Sequence, residues 1–325
     1  MARMAMIERT GGPEVIQMVT RDLPPPAPGE VRLRTGAIGL NFIDTYFRSG
    51  LYPAPLPSAL GLEAAGTIEA VGEGVTGFAS GDRVGTFFTR DLGAYASERN
   101  IAATSLIKLP DGISDEVAAA SMLKGCTAEF LIERCAKVQP GWTVLVHAAA
   151  GGVGQILVQW LRHIGATVIA TVGDEAKAYQ AASLGAAHVI LYKQEDTAAR
   201  VREITGGAGV PVVFDGVGKS TWEASLASAA RRGLVISYGN ASGPVEGVNL
   251  ATLNNHGSLF ATRPKLFDYY ATPEERAAGA ARLFDLIRAG AVQPYIGRRY
   301  ALDEAAEAHR AIEAGETSGS TLLIP

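Results

Sequence analysis

Only two cysteines and five histidines occur in the 325 residues, and none of these seven lies before Cys126. The early part of the chain therefore holds no thiolate and no imidazole, which removes the side chains that most transition-metal sites are built from. His147, His163, His188, His256 and His309 fall at scattered positions without ligand spacing and read as surface or packing residues. Cys126 and Cys135 sit nine residues apart on one helix-like stretch and read as free thiols rather than a disulfide. The chain also lacks an excess of positive charge: 29 basic residues stand against 33 acidic ones, with no basic stripe. That balance argues against nucleic acid or anionic lipid as a partner. Apolar runs are no longer than a strand, and no basic-plus-apolar leader precedes them. The expectation is a cytoplasmic protein without a membrane span. Internal repeats and low-complexity tracts are absent as well.

What is present is a chain that is 47% hydrophobic, long enough for about two domains. Its most informative run is Val144 to Gly154, an apolar strand that breaks into a glycine-rich turn before a helical pattern from Gln155 to Arg162. The spacing Ala149-x-Gly151-x-x-Gly154 fits the dinucleotide-binding rule with Ala at the first glycine: Gly151 admits a pyrophosphate, and Gly154 lets the helix pack close to the strand. Unpaired N–H groups in the first helical turn, at the positive end of the helix dipole, suit a diphosphate. Glycines also cluster in turns that bind nothing, so the context has to decide. Downstream, strand and helix alternate: Thr167 to Val172, Glu175 to Leu184, His188 to Tyr192, Asp196 to Thr205, Val210 to Asp215, Thr221 to Ala230, Leu234 to Tyr238 and Ser258 to Thr262. This is the rhythm of an α/β, doubly wound parallel sheet covered by helices on both faces.

The part before Ala120 is written differently, with short β-rich runs (Glu30 to Ala37, Ala64 to Val71, Arg83 to Phe88) between Pro and Gly turns. It predicts a mostly antiparallel, barrel-like domain. Pro24, Pro25, Pro26 and Pro28 form a stiff surface connector, and Gly72, Gly74, Gly77 and Gly81 mark turns. After the nucleotide-type segment come an amphipathic helix over Pro273 to Ala289, a strand over Pro294 to Tyr300, a helix over Leu302 to Ala314 and a last strand over Ser320 to Ile324. This end is expected to return to the first domain. The division read from the sequence is 1–122 and 264–325 for a discontinuous catalytic domain and 123–263 for a Rossmann domain.

Several segments together resemble a known family: Asn41-Phe42-Ile43-Asp44-Thr45-Tyr46, Arg48-Ser49-Gly50-Leu51-Tyr52, Gly61-Leu62-Glu63-Ala64-Ala65-Gly66, Ala148 to Gly154, and Tyr238-Gly239-Asn240. The chain is similar over its whole length to the zinc-free quinone oxidoreductases, zeta-crystallin among them, of the medium-chain dehydrogenase/reductase superfamily. The resemblance implies a GroES-like, barrel-like catalytic domain, a Rossmann domain and NADPH-dependent reduction of a quinone in the cleft between them. Alcohol dehydrogenases of the same superfamily polarise substrate oxygen with zinc held by Cys, His and a carboxylate. The early part of this chain has neither Cys nor His to do so, and no metal is expected.

Without a metal, charge developing on an acceptor oxygen is met by positioned hydrogen-bond donors. Asn41, Tyr46 and Tyr52 are the candidates, close together on what reads as a Gly- and Pro-bounded loop, where a carboxamide and two phenols could donate to a quinone and stack on its ring. From residue type alone each tyrosine reads first as half-buried packing with its hydroxyl in water, and the resemblance reverses that preference in favour of the catalytic role. Asp44 reads as a turn or cap residue, with a contact on the nicotinamide side as the other reading. Arg48 reads either as a solvated cation or as a balance for cofactor charge. A quinone is a strong hydride acceptor, so holding donor and acceptor at reacting distance carries most of the rate.

For the cofactor, an NAD-selective domain ends its second strand with a carboxylate that would repel a 2′-phosphate. Here that strand ends at Gly173, and Asp174 reads as the N-cap of the next helix, with the ribose role as its rival. Lys177, one turn into the helix, offers a cation to the 2′-phosphate, and Tyr192 a hydroxyl. By resemblance Gly173, Lys177 and Tyr192 contact the adenosine phosphate, which selects NADPH. Related chains often carry an arginine near 315–318, where this chain has Gly315, Glu316, Thr317 and Ser318. The resemblance also places Gly152 and Val153 at the diphosphate, Val217, Tyr238, Gly239 and Asn240 along the cleft, Arg263 and Pro264 at its closure, and Thr127 and Phe130 near the nicotinamide. Phe130 reads equally as core packing. Two other functions stay open at this point: an NADPH-dependent enone or alkenal double-bond reductase, and a non-catalytic crystallin-like or RNA-binding role. A homodimer is expected through the edge strand near Ser258 to Thr262.

Overall fold

A computed structural model describes residues 1–87 and 92–325. The chain separates into two compact units, one formed by residues 1–126, 270–288 and 294–325 and the other by residues 127–269 and 289–293.

The first unit opens with β1 (Ala2–Ile7), β2 (Gln17–Arg21) and the long β3 (Glu30–Leu40), followed by helix α1 (Phe42–Ser49). Next come β4 (Ser58–Ala59), β5 (Glu63–Val71), β6 (Arg83–Thr86), β7 (Glu98–Ala102), β8 (Ile107–Lys108) and helix α2 (Asp115–Glu129). The strand expected to reach Phe88 ends at Thr86, and Phe88 itself lies outside the described residues. Residues 41–52, expected as a loop, instead carry α1. Asn41 is extended (φ −132°) and its N–H donates to the Asp44 carboxylate at 2.9 Å, so a short-range cap starts a helix where polar residues suggested a turn. Gly50 then ends the helix in the left-handed region (φ 86°).

The second unit begins in the last turn of α2, passes through a π-helical stretch over Phe130–Ala136, and builds a parallel sheet. Its elements are β9 (Thr143–Val146), α3 (Gly152–His163), β10 (Thr167–Val172), α4 (Glu175–Leu184), β11 (His188–Leu191), α5 (Thr197–Ile204), β12 (Val210–Asp215), α6 (Trp222–Ser228), β13 (Ala229–Ser237), α7 (Leu250–Asn255), β14 (Phe260–Thr262) and α8 (Leu266–Tyr269). The sheet order is β11-β10-β9-β12-β13-β14, every pair parallel. Order reverses at β9, which lies between β10 and β12; such a switch point leaves room for a ligand beyond the C-terminal strand ends. The strands are apolar on both faces, and Leu145, Ile169, Ile190, Val201, Val213, Leu226 and Val235 form one core.

The remaining elements are α9 (Pro273–Arg288), β15 (Ile296–Ala301), α10 (Ala305–Glu313) and β16 (Ser320–Ile324). In the first unit β16 pairs in parallel with β15 and antiparallel with β3, giving the order β15-β16-β3-β5-β6-β8, with β7 also on β3. A separate three-stranded sheet runs β2-β1-β4. The expected barrel is thus not closed by hydrogen bonds: among the described residues no pairing joins β15 to β8. Among the described residues no helix is long and apolar enough to cross a membrane.

Candidate functional site

In the parallel-sheet unit the turn after β9 has the shape its glycines require. A side chain at Gly154 would place Cβ 2.3 Å from the Ala148 carbonyl oxygen, so only glycine lets α3 come this close to the turn. Ala148 itself is in the left-handed region (φ 50°), so the bend falls one residue before the Ala149 of the motif. Gly151 is the N-cap of α3, no side chain caps it, and the first turn carries no acidic residue. The N–H groups of Gly152 and Val153 therefore open the helix without competition from a side-chain anion, and the turn fits a diphosphate.

The neighbouring strand ends carry the other expected cofactor residues. Gly173 follows β10, and a Cβ there would lie 3.1 Å from the Tyr192 hydroxyl and 3.5 Å from Lys193 Cε. Gly173 and Tyr192 are thus adjacent, and Lys193, which the sequence reading passed over, adds a cation beside them. The Asp174 carboxylate accepts the Lys177 N–H at 2.9 Å and caps α4, and the Lys177 ammonium lies 3.7 Å from it. Beyond β12, Val217 donates its N–H to Asp215 at 2.8 Å, and Tyr238 N–H donates to the Asp215 carbonyl at 2.8 Å. A side chain on Gly239 would meet the Gly216 carbonyl oxygen at 2.1 Å, so the Tyr238-Gly239-Asn240 segment lies directly against the turn after β12. Arg263 donates to the Ser237 carbonyl at 2.7 Å, and Pro264 follows it, half-buried. Thr127 is half-buried on α2, whereas the Phe130 ring is buried and stacked on Tyr269 at 4.5 Å, as its packing reading required.

In the other unit α1 gathers an aromatic cluster. Tyr46 and Tyr52 meet edge to face at 5.2 Å, with Phe42 6.3 Å from Tyr46 and Phe47 5.8 Å from Tyr52. The Tyr52 N–H donates to the Tyr46 carbonyl at 3.0 Å and fixes the pair. Asn41 is buried, and its carboxamide donates to the Glu63 carboxylate at 2.9 Å and to the Gly39 carbonyl at 3.2 Å. Donation from Asn41 to an acceptor would displace one of these bonds. Glu63 also accepts from the Lys124 ammonium at 3.1 Å and the Leu123 N–H at 2.7 Å, with both charged side chains buried.

Behind α1 runs a polar network that sequence reading did not reveal. Arg48 is neither solvated nor poised for a cofactor: its guanidinium is buried, forks onto the Glu313 carboxylate at 2.8 and 2.6 Å, and lies 3.2 Å from His309 Nδ1. Because Arg48 can only donate, His309 Nδ1 accepts and Nε2 carries the proton toward the Tyr95 hydroxyl, 3.1 Å away. Tyr95 donates in turn to Asp44 at 3.0 Å. Burial, with Arg48 adding to it, pushes His309 down to about 3, and burial pushes Asp44 up to about 7. The cap role read for Asp44 is present, with this network added to it.

Family comparison agrees with both units. Residues 152–269 match the model of the zinc-binding dehydrogenases and residues 27–132 that of the alcohol dehydrogenase GroES-like domain. A quinone oxidoreductase of Pseudomonas aeruginosa is 52% identical over 328 residues, covering 100% of both chains. The chain is a medium-chain dehydrogenase/reductase of the quinone oxidoreductase family. A solved relative of this oxidoreductase, the Escherichia coli quinone oxidoreductase in complex with NADPH, superposes with a TM-score of 0.97 at 48% identity and covers 100% of both chains. A 2-haloacrylate reductase of Burkholderia is 45% identical over 100% of this chain and 99% of its own. Among the described residues no three His, Cys, Asp or Glu side chains gather to hold a metal ion.

Proposed function

We propose that this oxidoreductase is an NADPH-dependent quinone reductase that works without zinc. The observation that carries the reading is the full-length identity of 48% to the Escherichia coli quinone oxidoreductase whose structure contains NADPH. NADPH supplies the hydride, from C4 of its nicotinamide. Gly151, Gly152, Val153 and Gly154 hold the diphosphate on the N-terminus of α3. Gly173 leaves room for the 2′-phosphate beside Lys177, Tyr192 and Lys193; the position after β10 is a glycine rather than a carboxylate, and the neighbouring Asp174 caps α4 with one carboxylate oxygen. Val217, Tyr238, Gly239, Asn240, Arg263, Pro264 and Thr127 line the rest of the cofactor path, with Phe130 supporting it from the core. Tyr46 and Tyr52 orient the acceptor, donate to the oxygen that gains charge and stack on its ring. Asn41 starts α1 through its N–H bond to Asp44, and its carboxamide donates to the acceptor in exchange for one of its bonds to Glu63 and Gly39. The enzyme acts in the cytoplasm as a homodimer that pairs the exposed edge of β14, where Phe260 is 59% exposed.

Steady-state turnover with NADPH, in the presence of a zinc chelator, tests the reading. Higher kcat/KM for 1,4-benzoquinone than for a simple enone is expected, unchanged by the chelator and lower with NADH. Tyr46→Phe combined with Tyr52→Phe should lower quinone turnover by about tenfold, the equivalent of one lost hydrogen bond; unchanged turnover would remove both tyrosines from the mechanism. A second reading, reduction of a conjugated carbon–carbon double bond, draws on the 45% identity to the 2-haloacrylate reductase. Preference for the enone in the same panel selects it. Sedimentation at low concentration tests the dimer, which a monomer there would exclude.

A further inference from the structure

The parallel-sheet unit buries a chain of four polar side chains that no step above uses. Asp215 at the end of β12 is fully buried, and the described contacts give its carboxylate donors rather than a counter-ion: Val217 N–H at 2.8 Å, Gly218 N–H at 3.0 Å, the Thr221 hydroxyl at 2.8 Å and the Ser225 hydroxyl at 2.7 Å. Since Ser225 spends its proton on Asp215, its oxygen accepts from His147 Nε2, 3.1 Å away. His147 Nδ1 then accepts from the Thr171 hydroxyl at 2.9 Å. Burial holds this imidazole below its ordinary range, in keeping with a neutral ring that has one donor and one acceptor nitrogen. The arrangement is not a nucleophilic triad, because the serine is fully buried and the carboxylate bonds to the serine rather than to the imidazole.

Its placement is the informative part. Thr171 is two residues before Gly173, His147 immediately precedes the glycine turn that starts at Ala148, and Asp215 is two residues before Val217. The three residues lie at or within one residue of the C-terminal ends of three adjacent strands of the sheet, β10, β9 and β12. Backbone bonds run in parallel with the side chains: Ala149 N–H donates to the Thr171 carbonyl at 3.2 Å, and His147 N–H to the Phe214 carbonyl at 3.0 Å.

We propose that Thr171, His147, Ser225 and Asp215 form a positioning chain that sets the spacing of the three cofactor-contacting turns, so that the grip on NADPH depends on it. The proposal rests on the NADPH reading above. The chain touches no reacting atom: it fixes where the turns at Gly173, Gly151 and Val217 present their backbone. Its loss should therefore weaken binding while sparing turnover at saturating cofactor.

NADPH affinity of the purified protein, read by nucleotide fluorescence without acceptor, tests this alongside the melting temperature and the KM and kcat for NADPH. Thr171→Val keeps the shape but not the hydroxyl, and Thr171→Ser keeps the hydroxyl. Thr171→Val and Ser225→Ala should each raise the NADPH Kd by about tenfold, with kcat within about twofold, and Thr171→Ser should restore most of the affinity. Val201→Ala, a core cavity at a residue outside the chain of four, should lower the melting temperature and leave the Kd unchanged. Wild-type affinity in both Thr171→Val and Ser225→Ala overturns the proposal, as does an equal loss in Val201→Ala, which would make the effect one of stability alone. Wild-type protein that does not bind NADPH overturns the cofactor reading itself and the proposal with it.

Discussion

At the residue scale, the chain Arg48–His309–Tyr95–Asp44 sets two opposing titrations in one buried network. His309 stays neutral in the fold down to about 3, while an unfolded chain takes up this proton near 6.5. Folding stability from this group therefore falls as pH drops from about 6.5 toward 3. Asp44 is the reverse case: the fold keeps its proton up to about 7, and the unfolded chain releases it near 3.9, so stability falls as pH rises through that window. Between about 4 and 6.5 the two slopes offset one another. Asp44→Asn removes one of them. Its stability relative to wild type should shift in the variant's favour from pH 4 to 7, by at most about 1.4 kcal/mol per pH unit. Urea midpoints at three pH values check this, and a flat difference would mean that Asp44 is ionised in the fold.

At the element scale, local signals were legible and remote partners were not. Strands β10, β12 and β16 and helix α4 occupy the residues expected of them, because apolar runs of strand length between Gly and Asp signals leave few alternatives. Helix α1 was missed since its evidence is a two-residue cap, Asn41 with Asp44, in a stretch rich in turn formers. Strand β13 starts five residues before the expected Leu234, through Arg231 and Arg232, whose charges hide a strand from a hydrophobicity pattern. Arg48 with Glu313, 265 positions apart, carries no sequence signal of its pairing. Caps, by contrast, give predictions of size. The Asp196 carboxylate accepts the Ala199 N–H at 3.0 Å at the start of α5. Asp196→Ala should cost about 1 kcal/mol in urea unfolding with an unchanged m-value, and NADPH affinity should stay as it was, because α5 carries none of the proposed cofactor residues.

At the scale of the whole molecule, ligand and fold are linked through the parallel-sheet unit. A cofactor bound only by the native state adds about 2.7 kcal/mol of stability at a hundred times its Kd. The melting temperature should accordingly climb with NADPH concentration and, on the proposed roles of Lys177 and Lys193, climb less with NADH at equal concentration, which has no 2′-phosphate. Equal shifts for the two nucleotides in a thermal scan would remove the basis for NADPH selectivity. The candidate site was legible in the sequence to the extent that it lies at strand ends: glycine spacing exposes the turns after β9 and β10, whereas Glu63, Lys124 and Tyr95 are brought to α1 by tertiary packing.

Strand β16 lies between β15 and β3, so a segment synthesised after the parallel-sheet unit is interior to the sheet of the first unit. During translation β3 waits on the ribosome with its Leu322-facing edge open, while the parallel-sheet unit, encoded in between, already has all but five of its residues. The order of maturation is thus inverted relative to the order of the chain: the segment made in the middle can fold first, and the amino-terminal segment last. Until β16 emerges, the nascent protein carries an unpaired β-edge of the kind that templates pairing with another chain.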